Sequence, residues 1–268
     1  MTLRMTEHEL DHLASIAREA AAAAGAAIRP HFRTRIAADL KSDESPVTIA
    51  DRGAEAAIRA VLAARTPAIP ILGEEEGGTA HATGPLWVVD PIDGTRAFIT
   101  GRPLFATLIA LMQDGVPVLG MIHQPILEET WLGISGRPTS FESRLSGNAK
   151  AGTRPCKTLG EAELASTSPA VYARLDLAGF ERLSAATRRT SWGGDCYVYG
   201  LLALGLIDIV TDATMQPWDW AALVPVVEGA GGRLTDWEGA KLRFGTDGRT
   251  LAVGDAALLA AAMAALRG

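Results

Sequence analysis

The chain is poor in cysteine. Only Cys156 and Cys196 occur among its 268 residues. Two isolated cysteines exclude a disulfide framework and a cysteine-based zinc site. Because disulfides persist mainly in oxidising compartments, we expect both to be reduced thiols in a cytoplasmic protein.

An excess of positive charge is also missing, since 25 lysines and arginines face 31 aspartates and glutamates, for a net charge of -6. This balance argues against nucleic acid or an anionic membrane surface as the main partner. An acidic protein that handles a phosphate needs cations to mediate, so a small phosphate substrate would imply a bound metal.

Long apolar runs are absent. Arg18, Glu19 and Arg29 interrupt the alanine-rich first segment, which is therefore no candidate for a membrane span. The first ten residues are polar and acidic, whereas a signal peptide begins basic and continues apolar. We expect no membrane association.

Familiar nucleophile motifs are missing as well. The sequence has no G-x-S-x-G elbow, no cluster of histidine or cysteine and no G-x-x-x-x-G-K-[S/T] loop. With 48% hydrophobic and 21% charged residues, it is typical of a globular protein with one large domain or two modest ones.

The most informative stretch is Gly84–Phe105. Trp87-Val88-Val89 reads as a buried strand that stops at Asp90-Pro-Ile-Asp93-Gly94-Thr95. Two carboxylates three residues apart, with a proline between them and a glycine behind, suit Mg²⁺ that also binds a phosphate. Gly94 and Thr95 would offer backbone N–H groups to that phosphate. The alternative is an ordinary turn, in which Asp-Pro and Asp-Gly pairs are common.

Two further acidic positions precede this stretch. Glu74, Glu75 and Glu76 follow a predicted strand and repel one another unless a positive group lies among them; a solvated acidic turn is the alternative. Thr48 predicts a helix N-cap with Asp51 in the first turn, where the helix dipole alone favours an acid.

The remaining pattern predicts a mixed α/β chain. A Thr6/Glu9 capping box begins a helix that reaches about Phe32, and a second helix spans 48–64. A Gln113-Asp-Gly115 turn predicts a hairpin. The glycine- and serine-rich segment 136–155 marks a boundary between halves 1–140 and 141–268. Other predicted strands cover 67–72, 105–112, 116–122, 129–134, 162–167, 187–191 and 207–211, and other predicted helices cover 169–183, 196–205, 219–228 and 255–267.

Taken in order, four motifs resemble the inositol-monophosphatase superfamily of metal-dependent, lithium-sensitive phosphatases, and the resemblance covers nearly the whole chain. The motifs are Thr48-Ile-Ala-Asp51, Gly73-Glu74-Glu75, Asp90-Pro-Ile-Asp93-Gly94-Thr95 and Trp218-Asp219-x-Ala-Ala222. The resemblance implies an α+β / α/β fold, a layered α-β-α-β-α sandwich, and a homodimer.

By this resemblance, Glu74, Asp90 and the Ile92 carbonyl hold one Mg²⁺, whereas Asp90, Asp93 and Asp219 hold a second. A third, weaker ion would share Glu74, and Mn²⁺ could replace Mg²⁺ at oxygen ligands. Asp51 and Thr95 would orient the attacking water, and Gly94-Thr95 would bind phosphate. A carboxylate that bridges two ions about 3.5–4 Å apart suits in-line displacement at phosphorus.

Other segments resemble the histidinol-phosphate phosphatase branch, namely Arg96–Pro103, Trp192–Tyr197 and Leu223–Gly232. L-Histidinol carries an ammonium and an imidazole, so charge-assisted bonds from Asp195 or Asp212 would add about 1.5–3 kcal/mol. Asp195 has an alternative role as a helix N-cap. Arg102 would pair with a glutamate or reach the substrate. The substrate-binding set implied is Gly94, Thr95, Arg102, Asp195, Asp212 and Asp219.

Two positions depart from the inositol-type pattern: Glu76 replaces a small hydroxyl residue and Leu223 replaces a glycine. Neither removes a metal ligand. The leading hypothesis is a phosphomonoesterase that acts on L-histidinol phosphate in histidine biosynthesis. The alternatives are a phosphatase of inositol or another sugar phosphate, and a non-catalytic regulatory protein on the same fold.

Overall fold

The described part of the chain is built from α-helices and short β-strands. The structure is a computed structural model that describes residues 5–35, 37–40, 46–79, 83–172 and 174–268. In chain order the elements are α1 (Glu7–Ile28), β1 (Ala38–Leu40), β2 (Pro46–Thr48), α2 (Ile49–Arg65), β3 (Ile71–Gly73), β4 (Pro85–Asp93), α3 (Thr95–Ile99), β5 (Ala106–Gln113), β6 (Val116–Gln124), β7 (Glu129–Ile134), β8 (Ser140–Ser143), β9 (Ala149–Lys150), β10 (Glu163–Ser166), α4 (Arg174–Ala186), β11 (Arg189–Trp192), α5 (Tyr197–Ala203), β12 (Ile209–Asp212), α6 (Pro217–Trp220), α7 (Leu223–Gly229), β13 (Arg233–Thr235), β14 (Thr250–Val253) and α8 (Leu259–Arg267).

The first two helices begin at the predicted caps. The Thr6 hydroxyl accepts from the Glu9 N–H at 3.2 Å, and the Glu9 carboxylate accepts from the Thr6 N–H at 2.7 Å. At α2, Thr48 and Asp51 form a second capping box. Each box satisfies two backbone donors that the helix itself leaves unpaired. Both predicted helix starts are confirmed.

A seven-stranded sheet follows, in the order β3-β4-β5-β6-β7-β8-β9, and only its β3–β4 pair is parallel. Successive side chains of a strand point to opposite faces. On β4, Trp87 and Val89 therefore pack under α1 and α2, whereas Leu86 and Val88 face a second core. Burial on both faces explains why β4 reads as an unbroken apolar run.

The predicted hairpin between β5 and β6 is confirmed. Gln113 pairs with Val116, which leaves a two-residue loop of Asp114 and Gly115. Both loop residues have positive φ, 53° and 73°, as a turn of matching twist requires.

The second sheet has the order β11-β10-β12-β14-β13, parallel over its first three strands and antiparallel over the rest. Helices α5 and α7 lie between the two sheets, and α4 and α8 cover the outer face of the second. Glycine permits the closest approach, because a Cβ on Gly120 of β6 would lie 2.0 Å from the Ala222 carbonyl oxygen. The layers are therefore α-β-α-β-α, as the resemblance implies.

Several predicted boundaries are wrong. Asp219 lies inside α6, whose N-cap is Gln216, rather than at a helix start. Helix α4 begins at Arg174 because Pro169 opens a separate 3-10 turn over Pro169–Val171. The predicted strand at 67–72 pairs only over Ile71–Gly73.

The division into halves 1–140 and 141–268 stays a prediction, while β8 and β9 continue the first sheet to Lys150. In the described part of the chain, no helix combines the length and apolarity needed to cross a bilayer.

Candidate active site

Three predicted ligands, Asp90, Asp93 and Asp219, converge at the end of β4. Each offers a carboxylate oxygen, and these atoms all lie within 4.8 Å of one another. Residues three apart on a regular strand face opposite sides. The pairing of β4 with β5 shifts register between Asp90 and Asp93, and this irregularity brings both carboxylates to one side.

A backbone N–H orients each of these carboxylates. Ile92 donates to Asp90 at 3.0 Å, Cys196 to Asp93 at 2.6 Å and Gln216 to Asp219 at 2.7 Å. The three donors come from β4, the start of α5 and the N-cap of α6. The carboxylate cluster is therefore held by three separate segments of the fold.

Burial and, after it, mutual repulsion raise the pKa values of Asp90 and Asp93 in this cluster. Burial, followed by the charges of Glu74, Asp93 and Asp219, raises the pKa of Asp90 well above its usual value. Burial and the charge of Asp219 raise the pKa of Asp93 to about 7. A cation among the carboxylates would relieve this repulsion. Oxygen-only donors suit a hard ion such as Mg²⁺ or Mn²⁺, so the residues present fit the metal that the sequence predicts.

Glu74 joins the cluster from the neighbouring strand. It follows β3, which pairs with β4 through Gly73 and Val89. Its carboxyl shares a hydrogen bond with Asp90, and its charge raises the pKa values of both Asp90 and Asp51. The structure thus brings all four predicted carboxylate ligands together.

Asp51 and Thr95 also meet, as predicted. The Thr95 hydroxyl lies 3.2 Å from Asp51 Oδ1 and 3.1 Å from the Ile92 carbonyl oxygen. The other Asp51 oxygen accepts from the Thr48 N–H and hydroxyl at 2.8 and 2.6 Å. Asp51 is therefore both a capping residue and a partner of Thr95. Burial raises its pKa.

Gly94 is required by both conformation and space. Its φ is +92°, in the left-handed region that L side chains rarely adopt. A Cβ here would lie 3.0 Å from the Asp195 carboxylate and 3.1 Å from the Leu104 carbonyl oxygen. The backbone of the phosphate-binding segment predicted at Gly94-Thr95 is thereby kept open toward the cleft.

A cleft of about 140 Å³ opens beside the carboxylate cluster. Asp93 and Asp219 are among the residues that line it, as are Asp195, Asp212 and Tyr199. Two carboxylates outside the predicted metal ligands therefore face the same small space.

Three hydrogen bonds hold the carboxylate of Asp212 in the wall of the cleft. Its carboxylate accepts from the Ser166 hydroxyl at 3.1 Å, the Thr167 N–H at 2.8 Å and the Tyr199 hydroxyl at 3.1 Å. Burial raises its pKa to about 6 despite these three donors. A carboxylate has about four acceptor positions, so one remains for a ligand in the cleft.

Asp195 does not cap α5, so the capping alternative is wrong. The N-cap of α5 is Cys196, and no side chain makes a cap bond there. Asp195 follows two glycines of positive φ and itself has a φ of 42°, which turns its carboxylate toward Gly94 and the cleft. None of the described residues donates a hydrogen bond to it. Burial, then the charges of Asp93 and Asp212, raise its pKa to about 8, against the opposing charges of Arg102 and Arg96.

Arg102 lies at the rim of the cleft. Its Nε donates to the Thr100 hydroxyl at 3.1 Å, and its charge acts on Asp195 rather than on a glutamate. It is absent from the residues that line the cleft. Of the six predicted substrate-binding residues, Asp195, Asp212 and Asp219 line the cleft, whereas Gly94, Thr95 and Arg102 do not.

The sequence analysis missed four residues that support this site. Ser166, Thr167 and Tyr199 hold Asp212, and no local signal distinguishes them from packing residues. The fourth, Glu55, is fully buried on the face of α2 that also carries Asp51, Ile58 and Leu62. An acidic residue at such an apolar position is a signal that sequence reasoning could have used.

The grouped carboxylates predict how the stability of the metal-free protein depends on pH. The pKa values of Asp212, Asp93 and Asp195 are about 6, 7 and 8, raised from 3.8. A carboxyl with a raised pKa in the folded state binds its proton more tightly there, so its contribution to stability is lost as pH rises through that pKa. We expect the thermal midpoint in EDTA to fall between pH 5 and pH 8, and Mg²⁺ to restore most of it at pH 8. A midpoint in EDTA that rises across this window would contradict the assignment.

Comparisons with known proteins agree with this geometry. The model of the inositol monophosphatase family matches residues 9–267. The chain is 43% identical over 237 residues to a bifunctional phosphatase, IMPL2, of Arabidopsis thaliana chloroplasts, covering 88% of this chain and 67% of that protein. It is 39% identical over 202 residues to a histidinol-phosphatase of Mycobacterium tuberculosis, covering 75% and 78%. An inositol monophosphatase structure from Zymomonas mobilis has a TM-score of 0.87 and 45% identity, covering 98% of this chain and 100% of that one.

Proposed function

Because the chain belongs to the inositol monophosphatase family of metal-dependent phosphatases, we propose that it hydrolyses L-histidinol phosphate to L-histidinol and phosphate. One observation carries the choice of substrate. Asp195 and Asp212 line the cleft beside the carboxylate cluster, so the part of the cleft beyond the phosphate is itself acidic. A cationic substrate would form charge-assisted hydrogen bonds with these two carboxylates.

We assign the metal ligands as the resemblance implies. Glu74, Asp90 and the Ile92 carbonyl hold one Mg²⁺; Asp90, Asp93 and Asp219 hold the second; and a third, weaker ion shares Glu74. Mn²⁺ is an alternative to Mg²⁺. When bound, such ions withdraw charge from the phosphate and lower the pKa of water, which prepares an in-line attack at phosphorus.

Asp51 and Thr95 orient the attacking water in this proposal. With its hydroxyl proton directed to Asp51, Thr95 presents an oxygen lone pair that accepts a hydrogen from the water. The water then keeps a lone pair for phosphorus. The backbone N–H groups at Gly94-Thr95 donate to the phosphate oxygens, as donors aimed at developing negative charge.

Asp195 and Asp212 select the alcohol part of the substrate. Charge-assisted bonds to the ammonium and imidazole of histidinol would each contribute about 1.5–3 kcal/mol, which is roughly tenfold to a hundredfold in affinity. Inositol offers hydroxyl groups only, and these would leave the two buried carboxylates without a cationic partner. The positive charge of Arg102 partly offsets the negative charge of Asp195 before the substrate cation binds.

The names of several related proteins support this choice of substrate. Proteins named histidinol-phosphatase in Mycobacterium tuberculosis, Chlorobaculum parvum and Streptomyces coelicolor share 39%, 36% and 34% identity with it. The second candidate is inositol 1-phosphate or another sugar phosphate, favoured by the 45% identity to the Zymomonas mobilis inositol monophosphatase. A non-catalytic role is disfavoured because the carboxylate cluster is complete.

We further propose that the protein is a homodimer and that it is cytoplasmic.

Phosphate release from L-histidinol phosphate and from myo-inositol 1-phosphate, measured side by side with Mg²⁺ and with EDTA, tests the proposal. We expect a kcat/KM preference for histidinol phosphate of at least tenfold, abolished by EDTA. A preference for inositol phosphate would retain the metal site and overturn the assignment of Asp195 and Asp212. No metal-dependent release from either substrate would overturn the function itself.

A further inference from the structure

A buried carboxylate outside the site supports the turn that carries Glu74. The Glu55 side chain is fully buried, and it accepts hydrogen bonds from the N–H groups of Glu75 at 2.7 Å and Glu76 at 3.1 Å. It also accepts from Arg59 Nε at 2.8 Å. Two backbone donors of one turn therefore depend on a single side chain of α2.

Arg59 completes the attachment of the turn to α2. Its terminal nitrogen donates to the Gly77 carbonyl at 2.6 Å, and its Nε lies 3.4 Å from Glu76. Gly77 in turn accepts from the Gly73 N–H at 3.0 Å. Arg59 is thus the positive group that the run of three glutamates needs.

Glu55 also touches the residue that precedes Glu74. A Cβ on Gly73 would lie 2.1 Å from Glu55 Oε1, so glycine is required here by the carboxylate itself. Glu74 stands between Gly73, which contacts Glu55, and Glu75, which donates to it. The Glu55 carboxylate therefore packs beside the backbone that precedes Glu74 and accepts hydrogen bonds from the backbone that follows it.

We infer that Glu55 is a positioning residue that holds Glu74 toward Asp90, an inference that rests on the proposed metal role of Glu74. Glu55 lies four residues after Asp51, on the same face of α2. One helix therefore sets both the residue that orients the water and the turn that supplies a metal ligand. Glu55 itself contacts neither metal nor substrate in this arrangement.

Removing this support weakens metal binding. In Glu55→Gln, an amide NH₂ replaces one oxygen that faces N–H donors, so at least one backbone donor of the turn loses its acceptor. Outer residues that orient metal ligands typically change metal affinity by about 10–100-fold. We expect a loss in this range for Mn²⁺, measured by isothermal titration calorimetry without substrate.

Asp208→Asn is a matched control. Asp208 is 1% exposed and accepts from Arg154 and from the Glu163 N–H, as Glu55 accepts from Arg59 and two N–H groups. It precedes β12, at the strand end opposite to Asp212. We expect Asp208→Asn to lower the thermal midpoint yet leave Mn²⁺ affinity within twofold of wild type. Equal losses of Mn²⁺ affinity in both variants would mean that Glu55 contributes only to the general stability of the fold, which would overturn the inference.

Gly73→Ala tests the same contact from the other side, and it remains informative if Glu55→Gln does not fold. Its Cβ displaces Glu55, so we expect Mn²⁺ affinity to fall here too. Glu74→Gln separates the two proposals: unchanged Mn²⁺ affinity in this variant overturns the metal role of Glu74. Weakened binding in Glu74→Gln with affinity within twofold of wild type in both Glu55→Gln and Gly73→Ala overturns only the inference about Glu55.

Discussion

Asp93→Asn is expected to lower kcat by on the order of a thousandfold while the fold is retained. Asparagine keeps an oxygen that can accept the Cys196 N–H, which Asp93 binds at 2.6 Å. It loses the charge and one ligand oxygen. Metal ions at a phosphate supply several kcal/mol of transition-state stabilisation, and about 4 kcal/mol corresponds to that factor.

The same substitution relieves repulsion within the carboxylate cluster. Because burial and Asp219 raise the pKa of Asp93 to about 7, the charged side chain strains the metal-free protein. We therefore expect the thermal midpoint in EDTA at pH 8 to stay level or rise. Asp255→Asn is a control for the loss of an aspartate that accepts a backbone N–H, since Asp255 accepts the Cys156 N–H at 3.0 Å and belongs neither to the carboxylate cluster nor to the cleft lining; we expect it to leave kcat within twofold of wild type. Near-wild-type turnover in Asp93→Asn would disprove the metal assignment.

Asp195→Asn is expected to raise KM for L-histidinol phosphate by about 10–100-fold with a much smaller change in kcat. The variant replaces a carboxyl group that faces the cleft and accepts no hydrogen bond from the described part of the chain. Its pKa is raised in the free protein, and a substrate cation favours its ionised form on binding. A charge-assisted bond to a substrate ammonium or imidazole is worth roughly 1.5–3 kcal/mol, which sets this range. Steady-state kinetics with both substrates measure it.

Two readouts distinguish this role from a structural one. KM for myo-inositol 1-phosphate should rise much less in Asp195→Asn, because a hydroxyl group can donate to the amide oxygen as well as to the carboxylate, whereas an ammonium loses an ion pair. The thermal midpoint should not drop, since Asp195 caps no helix. An equal rise of both KM values, or a lower midpoint with unchanged KM, would refute the assignment of Asp195.

Local sequence signals predicted only part of this arrangement. The capping box at Thr6, the N-cap at Thr48 and the Asp114-Gly115 turn follow from residues within four positions of one another, so pattern reasoning reached them. Asp90 and Asp93 were also identified locally, although the register shift that brings them together was not. Asp219 joins them from a distant segment, and only the family resemblance indicated it.

The remaining failures have physical causes. The alternative role of Asp195 as a helix cap is wrong because two preceding glycines of positive φ turn the chain before α5 begins. Glu55 escaped notice because its backbone partners lie twenty residues further along the chain. Contacts between distant segments leave no local pattern in the sequence, whereas helix caps and hairpin turns are marked by characteristic residues at fixed short spacings.

Anomalous diffraction from crystals grown with Mn²⁺ and phosphate tests the central claim most directly. The account predicts at least two Mn²⁺ peaks about 3.5–4 Å apart, bridged by Asp90, with Asp93 and Asp219 at one ion and Glu74 at the other. Peaks elsewhere, or no peak between Asp90, Asp93 and Asp219 at saturating Mn²⁺, would contradict it.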